Sequence, residues 1–437
     1  MALTAAQPVL AQSVLRDSET EALFKDISKP MIEAAKLDPK AVNVVLLNDP
    51  EINAFVATGQ TVYIQSGLLV AADNVNQLQG VIAHELGHVA GGHSIRIYEG
   101  QSVATKISLL SLLLGAAAMA PGARDAGMGI MAAGQQAAES KFFSFSRAQE
   151  SSADLAGASY LTKAGISGKG TLDFFKKLQN QEYRLAISQT DDYTSTHPLN
   201  SDRIQALEQI YKKDPAWNKP IDPALEARFE RVKAKLVGYV DPKRATQLYP
   251  ESDQSIPAHY ARAYAYHLGA YPEKAEREAD SLLRIAPNDP YFLELKGQIL
   301  LEGGKPREAL APLRLAVARA PDKPMIAALL GHALVATEDD KNFPEAKQVL
   351  RQAIARDNDN PDAWYQVGIV YDHEGDAPRA ALATAERNNL EGDNKLALAS
   401  AKMAMNGLKP GTPDYLRAQD IAMVSENALK KDKKKKK

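Results

Sequence analysis

The sequence predicts an α+β fold that is mostly α, with a small β-sheet and helices in its N-terminal part and a solenoid of helices alone in its C-terminal part. Three observations lead to this prediction. The chain has 437 residues, which is more than one ordinary domain contains. Residues 42–65 are rich in β-branched and aromatic residues, and a helical pattern recurs every 34 residues after residue 222. We therefore expect two domains, at residues 19–220 and 221–429.

Both ends of the chain are expected to lie outside these domains. "MALTAAQPVLAQS" is similar to the end of a secretory signal with its cleavage region, although a charged leading segment and a full apolar stretch are missing. We interpret residues 1–18 as the remnant of an export signal, with an ordinary flexible tail as the alternative. Residues 430–437 are lysine-rich and are predicted to be a disordered, solubilising tail. No apolar run is long enough to predict a membrane-spanning helix.

The composition excludes several kinds of chemistry. The chain contains no cysteine, so disulfides, thiolate zinc ligands and a cysteine nucleophile are all excluded. Its formal net charge of -2 gives no overall attraction to nucleic acid, and we expect no nucleic-acid partner. The eight histidines are therefore the residues that attract attention.

The predicted sheet lies near the N-terminus. Its strands are rich in β-branched and aromatic residues, and Gly59 separates the second strand from the third. The second and third strands are therefore expected to form a hairpin. The expected strands are Val42–Leu47, Ala54–Thr58 and Thr61–Gln65.

A helix is expected from Asn76 to about Arg96, and it contains an HExxH motif. His84 and His88 are four residues apart and so lie on the same face of the helix. Two imidazoles in this arrangement can bind one zinc ion, with Glu85 beside it as a general base. The alternative is a helix that carries two histidines by coincidence, but these polar groups would then be buried in an apolar segment without partners.

The third zinc ligand has two candidate sources. An HExxHxxGxxH motif would need histidine where Ser94 stands, and His93 comes one residue too early. The other solution is a glutamate from a later helix. Glu150 and Asp154 are four residues apart in "SRAQESSADLAG", so one carboxylate can bind the metal while the other orients a ligand imidazole. Two solvated acids on a surface helix are the alternative. His93 is assigned a structural role, which could include a hydrogen bond across the site.

The segment "TSTHPLNSDR" offers two further polar groups. Hydrolysis of a peptide bond usually needs a donor to the developing oxyanion, and His197 and Arg203 are the candidates. His197 has two alternatives: it could occupy the fourth zinc position and inhibit the enzyme, or it could be a loop histidine without a role.

One apolar segment lies between the two metal motifs. Ile107–Ala120 is too short to cross a bilayer. It could cover the active-site cleft as a lid, form a core helix, or make a peripheral contact with a membrane.

The C-terminal repeat has the period and residue types of tetratricopeptide repeats. Small residues recur at fixed positions, where the two helices of a hairpin approach closely. One register has three additional residues, in "EDDKNFPEA", and predicts a longer turn there. Successive positions of the pattern are Pro287 and Pro321, Gly297 and Gly331, and Ala275 and Ala309.

Four motifs together resemble a known family: "HELGHVAGGH", "SRAQESSADLAG", "NAFVATGQTVYIQSGLL" and "STHPLNSDRI". They are similar to the zinc metallopeptidases of the gluzincin type that include the CAAX prenyl protease and the HtpX heat-shock protease. The layout resembles the exported, BepA-like branch that carries tetratricopeptide repeats. The resemblance covers nearly the full chain. It implies a set of roles by position: ligands at His84, His88 and Glu150, a base at Glu85, a ligand-orienting residue at Asp154, and substrate contacts at Asn53, Ala54 and Phe55.

The resemblance also implies a function. We expect a periplasmic, exported zinc metalloendopeptidase with one Zn²⁺ per chain, which degrades misfolded or stalled envelope proteins such as outer-membrane β-barrel precursors. The helical repeats are expected to bind substrate or an outer-membrane assembly partner. The alternative is a chaperone or assembly factor whose zinc site is mostly closed at rest.

Overall fold

The computed structural model describes residues 14–57, 59–118, 124–185, 197, 199 and 201–435. The chain divides into two compact units, Met1–Leu236 and Val237–Lys437, whereas the sequence places a boundary at residue 220. The difference has a physical reason. The helix Pro223–Val240 buries Phe229, Val232 and Leu236 in the hydrophobic core of the first unit, so most of this helix belongs to that unit.

A four-stranded sheet in the first unit has the strand order β1-β2-β4-β3. The strands β2 and β4 are parallel, and the two outer strands pair antiparallel with them. The predicted hairpin is confirmed as β3 and β4, although β3 ends at Val56 and Thr58 lies outside the described residues. The strands are β1 (Val14–Leu15), β2 (Asn43–Leu47), β3 (Ala54–Val56) and β4 (Thr61–Gln65).

Part of the predicted N-terminal tail belongs to the fold. Val14 and Leu15 pair with β2, and the Asp17 side chain accepts a hydrogen bond from the Thr20 amide at the start of the first helix. Such a bond satisfies a helix donor that would otherwise lack a partner. Residues 14–18 are therefore structured, and the rest of the predicted signal remnant lies outside the described residues.

The helices of the first unit surround one hydrophobic core. The HExxH helix ends at Gly91 rather than near Arg96, because Gly92 adopts a left-handed conformation with a φ of 62° and closes the helix. A new helix then begins at His93. The described helices are α1 (Ser18–Ala34), α2 (Ser66–Ala71), α3 (Val75–Gly91), α4 (His93–Ala118), α5 (Arg124–Ala164), α6 (Lys169–Leu185), α7 (Ser201–Tyr211) and α8 (Pro223–Val240).

The helices α3 and α5 cross at two glycines. A Cβ atom at Gly87 would lie 2.6 Å from the Ala153 carbonyl oxygen, and one at Gly157 would lie 2.9 Å from the Ala83 carbonyl oxygen. Any side chain would therefore overlap the backbone of the other helix. This close approach brings the α5 residue Glu150 to the histidines of α3.

The apolar segment Ile107–Ala120 is not a core helix. Residues 107–118 are the C-terminal half of α4, which packs along α5, and Met119 and Ala120 lie outside the described residues. Five leucines of this segment are more than half exposed: Leu109, Leu110, Leu112, Leu113 and Leu114. None of the described helices is both long and apolar enough to cross a membrane.

The described part of the second unit consists of helices joined by turns. Its helical hairpins follow the predicted repeat, and the additional turn is confirmed as a short 3₁₀ helix, Asp340–Asn342. Gly297 and Gly331 lie against leucines of the following helix, where a Cβ atom would overlap Leu313 or Leu350. The last helix extends to Lys435, although the sequence predicts disorder from residue 430.

The helices of this unit follow α8 in chain order. They are α9 (Pro242–Leu248), α10 (Ile256–Leu268), α11 (Pro272–Ile285), α12 (Pro290–Glu302), α13 (Pro306–Arg319), α14 (Pro324–Ala336), α15 (Phe343–Arg356), α16 (Pro361–His373), α17 (Ala377–Leu390), α18 (Asn394–Gly407) and α19 (Pro413–Lys435).

The close crossing of α3 and α5 allows us to predict how a methyl group at Gly87 would change the stability of the first unit. We expect Gly87→Ala to destabilise the first unit by about 1–3 kcal/mol, because the new atom overlaps backbone that cannot rotate away. Gly129→Ala in α5 is the matched control, since a Cβ atom there meets nothing within 4 Å. Thermal and urea unfolding of both variants would measure the change. Equal stability of the two variants would show that the helices can separate without cost.

Candidate metal centre

Four buried side chains converge on one point in the first unit. Each of His84, His88, Glu150 and His197 offers one donor atom, and these atoms all lie within 4.8 Å of one another. The His84 and His88 Nε2 atoms are 3.1 Å apart, and each lies 3.4 Å from a carboxylate oxygen of Glu150. Imidazole nitrogens and a carboxylate oxygen are donors that zinc binds. The structure thus brings the three predicted ligands together and adds His197 to them.

The electrostatics of this cluster favour a bound cation. Burial disfavours the charged form of His84, yet hydrogen bonds to Asp154 and Glu150 raise its pKa to about 10. Burial likewise opposes ionisation of Glu150, but hydrogen bonds from His197 and His84 lower its pKa well below the usual range. Burial and the nearby His84 lower the pKa of His88. The carboxylates therefore hold positive charge between them, which a metal ion would supply in place of a proton.

Asp154 orients His84 from the side opposite the donor atoms. Its Oδ1 atom lies 3.0 Å from His84 Nδ1, so His84 Nε2 remains directed at the other donors. Burial opposes the ionised form of Asp154, but hydrogen bonds from His84 and Arg203 lower its pKa. An ionised carboxylate in this position fixes the tautomer of a ligand histidine.

Arg203 contacts two carboxylates of the site. Its Nε and Nη2 atoms donate to the two Asp154 oxygens at 2.7 and 2.9 Å, and its Nη1 atom lies 3.2 Å from Glu150. The guanidinium is buried and bridges two carboxylates. This geometry supports a role in holding both carboxylates in position. Donation to an oxyanion by Arg203 stays a prediction.

Glu85 is the most isolated charge of the site. Its side chain is 0% exposed, and neither carboxylate oxygen has a hydrogen-bond partner among the residues that the structure describes. His197 Nε2 lies 3.6 Å from Oε1 of Glu85. Burial raises the pKa of Glu85, which makes this carboxylate a better proton acceptor.

His197 lies between the metal-binding side chains and the sheet. Its Nδ1 atom is 3.1 Å from Glu150 Oε2 and 3.3 Å from His84 Nε2. Its Nε2 atom is 3.3 Å from the carbonyl oxygen of Ala54 in β3. One ring thus contacts both the donor cluster and the outer strand.

The residues expected to bind substrate lie on this outer strand or just before it. Ala54 is fully buried, Asn53 is buried, and Phe55 is half-buried and stacks on Tyr63 with ring centroids 5.2 Å apart. Among the described strands, β3 has a neighbour on one side only. Its backbone is therefore placed to pair with a further strand.

Two further residues contact the side chains of the site, and the sequence suggested a contact for His93 alone. Phe175 in α6 makes an edge contact with His84, with ring centroids 6.0 Å apart, and lies 5.9 Å from the Arg203 guanidinium carbon. Only its apolar position in an amphipathic helix could have suggested this. His93, assigned to structure, lies outside the donor set of the described residues but contacts His88 directly.

Comparison with known proteins agrees with this arrangement. Residues 18–211 match Peptidase family M48, and residues 329–388 match a tetratricopeptide repeat family. A beta-barrel assembly-enhancing protease of Yersinia pestis is 26% identical over 89% of this chain and 80% of its own length. The protein of that name in Escherichia coli is 26% identical over 85% and 76%. Metalloprotease YcaL of Escherichia coli is 30% identical over 38% and 61%.

The family match covers β2, β3, β4, α3 and α5, and so contains every donor of the metal cluster. The repeat match lies within the second unit. The chain is therefore a metallopeptidase with a Peptidase family M48 domain at residues 18–211 and a C-terminal unit of tetratricopeptide repeats.

Proposed function

We propose that this protein is an exported, periplasmic zinc endopeptidase that degrades misfolded or stalled envelope proteins, among them β-barrel precursors of the outer membrane. This proposal is carried by the cluster of four buried donors beside the carboxylate of Glu85, which accepts no hydrogen bond from the residues that the structure describes. The names of the relatives from Yersinia pestis and Escherichia coli support the substrate class. The tetratricopeptide unit is proposed to bind a substrate or an assembly partner.

The residues of the site have distinct tasks in peptide hydrolysis. His84, His88 and Glu150 would hold the zinc ion, which supplies an activated water molecule and polarises the scissile carbonyl. Glu85 would accept the proton of that water and pass it to the leaving amine. Asp154 and Arg203 keep the ligand side chains in position, because their hydrogen bonds leave His84 and Glu150 one favourable orientation.

We propose that the described arrangement is a resting state. With Nδ1 of His197 within the donor set and Nε2 near Ala54, the imidazole occupies the space between the donors and β3. A substrate strand paired with Asn53–Phe55 would bring its carbonyl group to the same region. His197 must therefore leave before a peptide can bind productively, which restrains an enzyme that acts on unfolded chains.

A chaperone or assembly factor with a mostly closed site is the second candidate. The position of His197 is the observation that favours it, because a fourth protein ligand is typical of zinc sites without activity. Incubation with an unfolded protein, with and without a chelator, separates the two. Chelator-sensitive cleavage supports the protease, whereas protection from aggregation without cleavage supports the chaperone.

The exposed leucines of α4 favour contact with a membrane surface. The residues from 107 to 118 contain no charged side chain, and their leucines point to several sides of the helix while Ser111 faces α5. Twelve helical residues extend about 18 Å, which is less than the roughly 30 Å of a hydrocarbon core. We propose that this segment contacts the interface of one leaflet, in preference to acting as a lid over the cleft.

Replacement of the proposed base should separate catalysis from metal binding. We expect Glu85→Gln to keep its zinc and to lose about 10²–10⁴-fold in peptide hydrolysis, because it removes a proton acceptor and no ligand. Metal analysis and the initial rate of cleavage measure the two effects. His88→Ala and Glu150→Ala are the controls and should lose zinc. A Glu85→Gln protein that lost zinc as fully as His88→Ala would contradict these roles.

Removal of the His197 imidazole should activate the enzyme. We expect His197→Ala to cleave an unstructured peptide about tenfold faster at equal zinc content. This corresponds to a loss of about 1.4 kcal/mol in the free energy by which His197 stabilises the closed state. A rate that fell by two to three orders of magnitude would instead identify an oxyanion donor. An unchanged rate, with unchanged access of chelators to zinc, would leave His197 without a role.

The leucine surface can be tested with vesicles. We expect Leu110→Glu with Leu113→Glu to weaken binding to phosphatidylcholine vesicles by more than tenfold, since burial of one leucine contributes roughly 1.5–3 kcal/mol. Leu396→Glu in the second unit is the matched control, because Leu396 is similarly exposed. Co-flotation of protein and vesicles measures the binding. If the wild-type protein did not float, or the double variant floated equally well, the contact would be disproved.

A further inference from the structure

His93 is a buried histidine that the proposed catalytic roles do not use. It is 6% exposed, and its Nδ1 atom lies 3.0 Å from Nδ1 of His88. The two rings meet edge to face, with centroids 4.9 Å apart and planes at 80°. The other ring nitrogen of His88 faces Glu150 and His84. His88 therefore contacts the donor cluster through Nε2 and His93 through Nδ1.

The backbone around His93 is shaped to hold its ring in this place. Gly92 has a φ of 62°, which ends α3 and lets α4 begin at His93. Gly91 provides the space, because a Cβ atom there would overlap the His93 imidazole. One glycine makes the left-handed turn and the other leaves room for the ring, so the ring folds back towards His88.

Only one direction of the hydrogen bond is compatible with a metal on His88. A neutral imidazole carries one proton, and the nitrogen that binds a metal must not carry it. If Nε2 of His88 faces the metal, then Nδ1 of His88 carries the proton and donates. Nδ1 of His93 must then be the acceptor.

We propose that His93 is a positioning residue for the metal ligand His88, and that it accepts the Nδ1 proton of His88 and so fixes the tautomer that binds metal. This inference rests on the proposed function, because it assumes that His88 is a ligand. It gives the two ligand histidines of α3 different partners. Asp154 orients His84 with a negative charge, whereas His93 orients His88 without adding charge to a site that already holds three buried carboxylates.

Two substitutions separate the hydrogen bond from the shape of the side chain. The amide oxygen of His93→Asn can reach the position of the imidazole Nδ1 atom and accept a proton, whereas His93→Leu fills a similar volume and accepts none. We expect His93→Leu to bind zinc about 10–100-fold more weakly, as is typical when the hydrogen-bond partner of a ligand is lost. His93→Asn should stay within a few-fold of the wild-type protein.

The measurement is the zinc dissociation constant of the full-length protein, obtained by competition with a chromogenic chelator. The visible spectrum of the cobalt-substituted protein provides a second readout, since a reoriented His88 alters the absorption bands. His332→Leu in the tetratricopeptide unit is the control and should bind zinc like the wild-type protein. Both His93 variants should still contain zinc at micromolar concentrations, in contrast to Glu150→Ala.

The outcomes distinguish this inference from the proposed function. Wild-type affinity in His93→Leu, or equal weakening in His93→Leu and His93→Asn, would overturn the hydrogen bond proposed here while leaving the metal site intact. If His88→Ala kept its zinc affinity, the ligand assignment itself would fail. Should His93→Leu not fold, His93→Asn decides: near wild-type affinity and spectrum support the acceptor role, and a clear loss of either overturns it.

Discussion

The close crossing of α3 and α5 is the constraint on which the metal site depends. α3 carries His84, Glu85 and His88, and its own 3.6-residue period places the two histidines together. Glu150 and Asp154 belong to α5, and they reach the histidines only because Gly87 and Gly157 let the two backbones come into contact. Side chains at these positions would separate the helices and move Glu150 away from the donors. The site is thus made by helix packing, and the loops contribute His197 to a cluster that the helices define.

That packing buries more charge than a protein interior normally accepts. Glu85, Glu150 and Asp154 all lie below a tenth exposed, and buried carboxylates are costly unless they are paired. Asp154 and Glu150 share Arg203 and the imidazole of His84, so their charge is balanced within the site. Glu85 receives no hydrogen bond within the described structure. Burial of this carboxylate lowers the stability of the fold. Such a residue is consistent with a role in proton transfer, since catalytic residues often reduce the stability of the protein that carries them.

The sequence predicts the features that depend on spacing within one helix or repeat. It does not predict contacts between elements that are far apart in the chain. His84 with His88, and Glu150 with Asp154, are each one helical turn apart, so their shared faces could be derived before the fold was known. The tetratricopeptide repeat could be recognised for the same reason, because it is a regular spacing along the chain. The bidentate contact of Arg203 with Asp154 depends on how α7 packs on α5, which no spacing encodes. The leucines of α4 left several interpretations open, because an apolar segment is usually buried and only the structure shows that this one is exposed.

The helices α4 and α5 connect the exposed leucine surface with the metal site. α5 is continuous from Arg124 to Ala164, so the helix that packs along the leucine segment of α4 also carries Glu150 and Asp154. α4 begins at His93, whose ring contacts His88. Both helices therefore carry side chains that touch the donor cluster, one through carboxylates and the other through an imidazole. The exposed apolar segment and the donors of the metal site are therefore carried by the same pair of packed helices.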